Sequence, residues 1–332
     1  MSTSQKKQLL VILGPTGTGK TGLAFELLGE SGLMGEIISA DSRQVYHGLD
    51  YTTNKLDPCQ TDDELKVERH EGYWLQRGVR INLYDVVAPT KNYSVAEFVA
   101  TALGHLERIW HNRQLPVVVG GTGFYIDALL GQSPYSEVGP DRRLRRKLSS
   151  LSTHELVARL RQLDSLITQD MSVEELNNCR RLVRYIELAV ARGSVRAALK
   201  WSPLRKAIKD GEITIKKVGL TASREILYQR ADQWVRNLAT SPYLINETRQ
   251  LMSSRPRTDR VLRGLIYAPT MQFIDGQIDR IRMIKIIQGQ LHRYIRSQLG
   301  WFKRSRDAKW IKIEQTDWLN QVGENVHQWY DG

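Results

Sequence analysis

The chain has 332 residues and a formal net charge of +12, from 48 lysines and arginines against 36 aspartates and glutamates. This length exceeds the size at which a single hydrophobic core usually stops growing, so we expect more than one lobe, and the positive charge favours a polyanionic partner. Only two cysteines are present, far apart in sequence, which argues against a disulfide framework and against a cysteine-based zinc site.

The N-terminal segment carries the most informative motif. Residues 1–7 are polar, and the apolar run after them is too short for a signal peptide or a membrane span, so we expect no membrane association and a cytoplasmic location. Leu9–Leu13 has the pattern of a buried strand, G-P-T-G-T-G-K-T follows at 14–21, and apolar residues at helical spacing come next. A strand that enters a glycine-rich turn opening a helix is the context of a phosphate-binding P-loop.

The motif predicts a site for a di- or triphosphate, with an ordinary glycine turn as the alternative. Lys20 is expected to reach the outer phosphates, and the Thr21 hydroxyl to hold a Mg²⁺ ion. The residues predicted to bind the phosphates are Gly14, Pro15, Thr16, Gly17, Thr18, Gly19, Lys20 and Thr21.

The rest of the first 130 residues alternates strand and helix patterns, which favours an α/β fold with a P-loop-type parallel sheet flanked by helices. Strands are predicted at 36–40, 83–87 and 116–119, and a capping box opens a helix at Ser94. Residues 56–80 are polar and irregular, and we interpret them as a long loop or a short helical excursion.

A helical section then interrupts the sheet. The pattern is helical from 141 to 199, and a strand pattern returns at 213–220, so the section is predicted to be an inserted all-helical lobe. Further helices are expected from 223 to 302, with interruptions near Pro242, Pro256 and Pro269. The predicted domains are the first part of the core (1–131), the insertion (132–205) and the return to the core with a C-terminal helical region (206–332).

Two further segments follow predicted strands, at the sheet edge where α/β proteins bind ligands. Asp41 is placed to coordinate Mg²⁺ or to accept a proton from an attacking nucleophile, and the alternative is that it caps the next helix. In Gly120–Gly123, two glycines would let the backbone approach a ligand, and Thr122 is placed to donate a hydrogen bond.

Arginines cluster in the predicted lobe. Arg180 and Arg184 share a helix face with Arg181 beside them, and a basic run occupies 142–147. Such an arrangement suits a phosphate backbone or splayed bases. A solvated helix face on which an arginine pairs with Glu187 explains the cluster equally well.

Taken together, these motifs resemble the tRNA dimethylallyltransferase (isopentenyltransferase) family. The matching segments are G-P-T-x-x-G-K-T at 14–21, I-I-S-A-D-S-R-Q-V-Y at 37–46, Y-S-x-x-E-F at 93–98 and P-x-x-V-G-G-T-G-x-Y at 116–125. Looser matches lie at 177–187 and 223–230 and near 293–302, so the resemblance covers residues 9–302. One departure is Trp234, which stands where the family usually has an arginine that contacts the diphosphate.

The resemblance implies transfer of a dimethylallyl group from its diphosphate to the exocyclic amine of the adenine 3′ of the anticodon in tRNA. It implies Mg²⁺ as the cofactor and the tRNA anticodon arm and dimethylallyl diphosphate as partners. The implied catalytic residues are Lys20, Asp41, Thr122, Arg224 and Arg230. The implied tRNA contacts are Asp41, Ser42, Arg43, Gln44, Arg180, Arg181, Arg184, Tyr267, Arg293 and Arg296.

Three other functions remain open from the residues. An adenylate isopentenyltransferase would share the core but would not need a basic helical lobe. A P-loop kinase of nucleotides or metabolites would not require the segments at 37–46 and 120–123. A non-catalytic RNA-binding protein would explain Trp234 but not the intact Lys20, Asp41 and Thr122. We expect a monomer, because one two-lobed chain can grip a tRNA.

Overall fold

The computed structural model describes residues 6–332 except 31, 61, 258 and 260, so most of the polar N-terminal stretch lies outside the described residues. An eight-stranded sheet in the order β3-β4-β5-β2-β6-β1-β7-β8 forms its centre. The strands are β1 Lys7–Leu13, β2 Gly35–Ser39, β3 Val67–His70, β4 Tyr73–Gln76, β5 Val79–Asn82, β6 Leu115–Gly120, β7 Ile213–Thr221 and β8 Lys309–Lys312.

The strand pairs from β5 to β8 are parallel, and β4 pairs antiparallel with both β3 and β5. β1 lies inside it, between β6 and β7, and residues Leu9–Leu13 are at most 1% exposed. An unbroken apolar strand requires cover on both faces of the sheet, and apolar clusters lie on both sides of β1. The predicted α/β fold with a parallel sheet is confirmed, and the carboxyl ends of β1, β2 and β6 meet at one edge.

Helices cover the sheet and extend beyond it. They are α1 Lys20–Phe25, α2 Asp62–Leu65, α3 Val95–His111, α4 Gly123–Leu129, α5 Arg142–Leu148, α6 Thr153–Leu163, α7 Ser165–Asp170, α8 Val173–Leu176, α9 Cys179–Arg192, α10 Val195–Ala198, α11 Leu204–Lys209, α12 Arg224–Thr240, α13 Tyr243–Ser254, α14 Tyr267–Ile274, α15 Arg280–Phe302 and α16 Trp318–Asp331. A π-helical turn, Glu26–Glu30, extends α1. No helix within the described ranges is long and apolar enough to cross a bilayer.

The inserted helical lobe is confirmed. Helices α5 to α10 lie between β6 and β7 and pack around their own apolar cluster, which includes Leu160 and Leu182. Backbone hydrogen bonds join the two ends of the lobe, from Tyr135 N to Lys200 O at 2.9 Å and from Lys200 N to Tyr135 O at 2.7 Å. β7 pairs with β1 over seven residues, so the chain returns to the middle of the sheet.

The structure departs from two predictions for residues 56–87. The segment 56–80, predicted to be a long loop or a short helical excursion, contains a helical turn, α2, but also an antiparallel meander, β3 to β5, that was not predicted. The strand predicted at 83–87 ends at Asn82 instead. Leu83 and Asp85 take positive φ, and Val86 and Val87 bond to the carbonyl of Val45 rather than continue the ladder.

The C-terminal third contains one wrong prediction and two elements that were not predicted. Pro269 does not interrupt a helix but lies in the first turn of α14, where a missing N–H costs little. β8 and α16 follow the last predicted helix. β8 extends the sheet beyond β7, and Val322 and Val326 of α16 are buried in the cluster that also contains Leu10 and Ile12 of β1.

Candidate active site

The loop between β1 and α1 has the curvature that a phosphate-binding loop needs. Gly17 and Gly19 have φ of +87° and +82°, a region that a side chain disfavours. Gly14 lies against β7, where an added Cβ would stand 2.2 Å from the carbonyl oxygen of Leu220. Three of the predicted phosphate-binding positions are therefore glycine for a local structural reason.

Lys20 begins α1 and its ammonium group turns back into the loop. Its Nζ donates to Pro15 O at 2.9 Å, and the Thr18 hydroxyl donates to the same oxygen at 2.9 Å. Burial lowers the pKa of Lys20 to about 8, and the negative charge of Asp41 acts in the opposite direction. The cation is thus held in a partly desolvated position within electrostatic reach of Asp41.

Asp41 follows β2 and organises a turn, not a helix. Its Oδ1 accepts from Arg43 N at 2.8 Å, and among the described residues no donor reaches Oδ2. Gln44 closes the turn from the other side, because it accepts from Ser39 Oγ at 2.7 Å and donates to Thr53 O at 3.1 Å. One carboxylate oxygen of Asp41 is therefore used by the fold, and the other has no hydrogen-bond partner among the described residues.

The glycines after β6 serve contacts within the protein. An added Cβ would lie 2.2 Å from Ala40 O at Gly120, 2.6 Å from Gln298 Nε2 at Gly121 and 2.2 Å from Trp301 Cδ1 at Gly123. The glycines were predicted to let the backbone approach a ligand, but the contacts give a different physical reason for them. They let β2 and α15 approach this loop.

Thr122 joins the loop after β6 to the turn that carries Asp41. Its Oγ1 accepts from Ser42 N at 3.2 Å, and its own amide donates to Ala40 O at 3.3 Å. Tyr294 of α15 lies close to Thr122, and burial together with the nearby charge of Asp41 raises the pKa of Tyr294. The structure therefore brings Lys20, Asp41 and Thr122 to one edge of the sheet.

The two predicted catalytic arginines differ in position. Arg230 of α12 is exposed and donates from Nη1 to Gly17 O at 3.1 Å, so it borders the P-loop. Arg224, at the start of the same helix, is exposed, and its side chain forms no hydrogen bond or ion pair with a described residue. Trp234 packs against the apolar cluster between α12 and α15, and its buried Nε1 has no partner among the described residues.

Arg43 and Tyr267, two of the residues predicted to contact tRNA, differ in their exposure. Arg43 is half-buried, with Nη2 3.3 Å from where a Cβ at Gly264 would stand. Tyr267, in contrast, is only 5% exposed, and its hydroxyl bonds to Thr52 while burial raises its pKa. Tyr267 is therefore part of the protein interior, and little of its surface is exposed for contact with an RNA.

In the lobe, two of the three predicted arginines are engaged within the protein. Arg184 donates to Glu187 at 3.3 Å and to Val138 O at 2.6 Å, and Arg181 pairs with Glu175. Arg145 forms a bidentate pair with Glu187 at 2.7 and 2.8 Å, and although burial opposes it, this pairing holds the pKa of Glu187 below its ordinary value. Arg180 is exposed and forms no ion pair with a described residue.

The remaining predicted residues lie on α15. Arg293 is exposed, and Arg296 is exposed with its Nη1 3.3 Å from Tyr228 Oη. Thr21 is half-buried at the start of α1. Within the described part of the chain, no group of three or more His, Cys, Asp or Glu side chains is placed to hold a metal.

Sequence comparison identifies relatives along the whole chain. The IPP transferase family matches residues 44–305. A tRNA dimethylallyltransferase of Pelotomaculum thermopropionicum is 30% identical over all of this chain and 99% of its own length, and one of Dictyoglomus turgidum is 31% identical over 97% and 92%.

Solved structures agree with the sequence relatives. The full-length tRNA isopentenylpyrophosphate transferase of Bacillus halodurans is 26% identical, with a TM-score of 0.65 over 99% of this chain and 96% of its own. A eukaryotic dimethylallyltransferase acting on tRNA shares the fold, with a TM-score of 0.67 at 20% identity over 92% of this chain and 74% of its own. With a family match over residues 44–305 and full-length relatives, this chain belongs to the IPP transferase family.

Proposed function

We propose that this protein transfers a dimethylallyl group from dimethylallyl diphosphate to the exocyclic amine of the adenine 3′ of the anticodon in tRNA. The observation that carries the proposal is the position of Asp41, which lies in electrostatic reach of the P-loop Lys20 and is bound through Ser42 to Thr122. A phosphate site and a carboxylate with a free oxygen thus share one edge of the sheet. The full-length tRNA dimethylallyltransferase relatives support the same reaction.

The diphosphate end of the substrate fits the P-loop. The loop amides and Lys20 supply positive charge that stabilises the leaving diphosphate as the C–O bond breaks and its electron pair goes to the oxygen. Arg230 borders this loop at Gly17, and Arg224 is exposed at the start of α12, free to move toward a bound anion.

Magnesium fits a site of this composition. Mg²⁺ keeps several waters and takes few protein ligands when it shares phosphate oxygens, so it does not need a carboxylate cage. The Thr21 hydroxyl would hold the ion, which would neutralise charge on the diphosphate.

The acceptor amine needs a base. As its nitrogen lone pair forms the new N–C bond, the amine loses a proton, and the free Oδ2 of Asp41 is placed to take it. Thr122 would act by holding the amide of Ser42, which fixes the direction of the Asp41 side chain.

The nucleic acid requires cations that are not engaged elsewhere. Arg145, Arg181 and Arg184 are paired inside the lobe. Arginines and lysines without an ion pair to any described residue line one face of α5, with Arg180 on α9. We assign the lobe's phosphate contacts first to these side chains, namely Arg142, Arg143, Arg146, Lys147 and Arg180, with Arg43, Arg293 and Arg296 nearer the core. A single chain would then suffice as a monomer, in the cytoplasm where its tRNA substrate occurs.

The test is a transfer assay with two acceptors. Purified protein, Mg²⁺ and labelled dimethylallyl diphosphate are incubated with bulk bacterial tRNA, and in parallel with adenosine monophosphate. Label in tRNA alone is the expected result. Label in the mononucleotide alone would contradict the tRNA substrate, and no label in either would contradict prenyl transfer.

A further inference from the structure

A buried glutamine of α15 connects the P-loop to the loop after β6. Gln298 is 5% exposed, its Oε1 accepts from Thr16 N at 2.9 Å, and its Nε2 donates to Gly121 O at 2.9 Å. These two partners lie on loops that follow different strands, β1 and β6. One side-chain amide therefore satisfies a donor on one loop and an acceptor on the other.

The surroundings of Gln298 are shaped for this contact. An added Cβ at Gly121 would lie 2.6 Å from Nε2, so only glycine allows the amide to come so close. Tyr294, one turn earlier on α15, lies close to both Gln298 and Thr122. A buried polar side chain with both ends satisfied specifies one arrangement of its neighbours, because any shift leaves a buried group unpaired.

The contacts form a continuous path between the two halves of the proposed reaction. Thr16 belongs to the loop that holds the leaving diphosphate, and Gly121 directly precedes Thr122. Thr122 in turn holds the amide of Ser42, the residue after Asp41. Gln298 therefore lies on a hydrogen-bonded path that joins the P-loop to the turn carrying Asp41.

We propose that Gln298 is a positioning residue that holds the P-loop and the Asp41 base at a fixed distance from each other, an inference that rests on the proposed prenyl transfer. Both hydrogen bonds of its side-chain amide go to backbone groups of the protein. Its loss is expected to leave each substrate bound but poorly aligned, since misplacement by about 1 Å can cost about a hundredfold in rate.

One variant removes both hydrogen bonds of the amide at once. Gln298→Met keeps the volume and removes both hydrogen bonds, so kcat should fall by about tenfold to a hundredfold while the Kd values for dimethylallyl diphosphate and tRNA change less than about threefold. Gln288→Ala is the matched control, because Gln288 lies on the same helix and makes only one long bond, 3.4 Å to Asp232 O. Its kcat should stay near that of the unmodified protein.

Gln298→Glu adds a pH signature that a packing role would not produce. The ionised carboxylate would face Gly121 O with no proton to donate, whereas the protonated acid restores the donor. Burial raises the pKa of such a carboxyl, so the rate relative to the unmodified protein should recover as the pH falls from about 8 to about 6.

Hydrogen exchange tests the connection without any activity. In Gln298→Met, amide exchange should accelerate in peptides covering 14–21 and 120–123 and stay unchanged in the lobe. If the unmodified protein shows no dimethylallyl transfer, the proposed function is contradicted. The exchange result would still decide whether Gln298 fixes the two loops. Three results would each overturn the positioning role. They are a normal kcat in Gln298→Met, a rate of Gln298→Glu relative to the unmodified protein that does not change with pH, and unchanged amide exchange at 14–21 in Gln298→Met.

Discussion

At the scale of single residues, one carboxylate oxygen of Asp41 accepts a structural hydrogen bond, and we propose that the other acts as the base. Asp41→Asn keeps Oδ1 as the acceptor for Arg43 N and removes the basic oxygen. We expect kcat for transfer to fall by at least about a hundredfold, since a general base typically contributes about 10² to 10⁴. The Kd values for tRNA and for diphosphate, measured by titration, should change by less than about twofold to threefold.

The matched control is Asp57→Asn. Asp57 is exposed and accepts from Cys59 N at 2.9 Å, the same local geometry away from the proposed site. It should keep full activity. A parallel loss of tRNA affinity in Asp41→Asn would mean that Asp41 holds the RNA or the turn and is not the base.

Lys20 gives a pH dependence of stability. Its pKa is lowered from 10.5 to about 8 in the folded protein, so between these values the unfolded chain binds more protons and stability rises with pH. Below about pH 8 the cost of the buried ammonium is fully present. Lys20→Met should therefore unfold less readily than the unmodified, ligand-free protein at neutral pH, by about 1–2 kcal/mol after allowance for solvent screening.

The measurement is urea unfolding of both proteins across this pH range. The difference in unfolding free energy between Lys20→Met and the unmodified protein should decrease as the pH rises from about 8 toward about 10.5. A gap that stays constant with pH would show that the ammonium is not destabilised by burial. Lys20→Met should also lose binding of dimethylallyl diphosphate, which ties the stability cost to the function.

At the scale of secondary-structure elements, α5 separates a packing face from a charged one. Leu144, Arg145 and Leu148 face the lobe, where Arg145 pairs with Glu187. The exposed cations Arg142 and Arg146 are one turn apart on the other side. Reversing both, Arg142→Glu with Arg146→Glu, should weaken tRNA binding at least about tenfold and reduce the slope of log K against log salt by about 1–2.

Lys206→Glu with Lys209→Glu is the control for net charge. Both lysines are exposed on α11, near the start of β7 and so at the edge of the sheet opposite the P-loop. This pair should leave the salt dependence unchanged. Equal weakening by both pairs would indicate a general effect of charge and would contradict a specific contact by α5.

Elements with a strong local signal were the ones predicted correctly. The apolar runs of β1 and β6 and the capping box at Ser94 depend on neighbouring residues alone, and each appears as predicted. The meander β3 to β5 had a signal that was missed. Arg77 and Gly78 form a two-residue turn with positive φ at both positions, the geometry of a tight hairpin.

Long-range contacts could not be predicted from local pattern. Gln298 is 177 residues from Gly121, and no role was predicted for it although it lies in the loosely matching segment near 293–302. The arginines of α9 had a clear helical pattern, yet only the packed lobe shows Arg184 held by Glu187 and Val138. Pattern reasoning thus predicted residue types for the site but could not show which side chains remain available to a ligand.

At the scale of the whole molecule, the lobe and the sheet are separable at a defined point. The paired backbone of Tyr135 and Lys200 brings the two ends of the lobe together, and the lobe's apolar cluster shares no residue with those of the sheet. Such an antiparallel pair can be closed by a two-residue Asn-Gly turn. Replacing residues 136–199 by that turn removes the lobe and leaves every residue of the P-loop, the Asp41 turn and α15 in place.

The shortened chain should fold cooperatively and bind diphosphate with Mg²⁺ within about threefold of the full chain, because the P-loop amides, Lys20 and Arg230 all belong to the part that is kept. Its transfer to tRNA should fall by at least about a hundredfold, because the cations of α5 and α9 are gone and the phosphate contacts supply most of the affinity for a nucleic acid. Thermal unfolding, diphosphate titration and the transfer assay measure the three quantities on one preparation. Loss of diphosphate binding in a folded shortened chain would show that the lobe completes the phosphate site, and full transfer to tRNA would show that the core alone grips the anticodon arm.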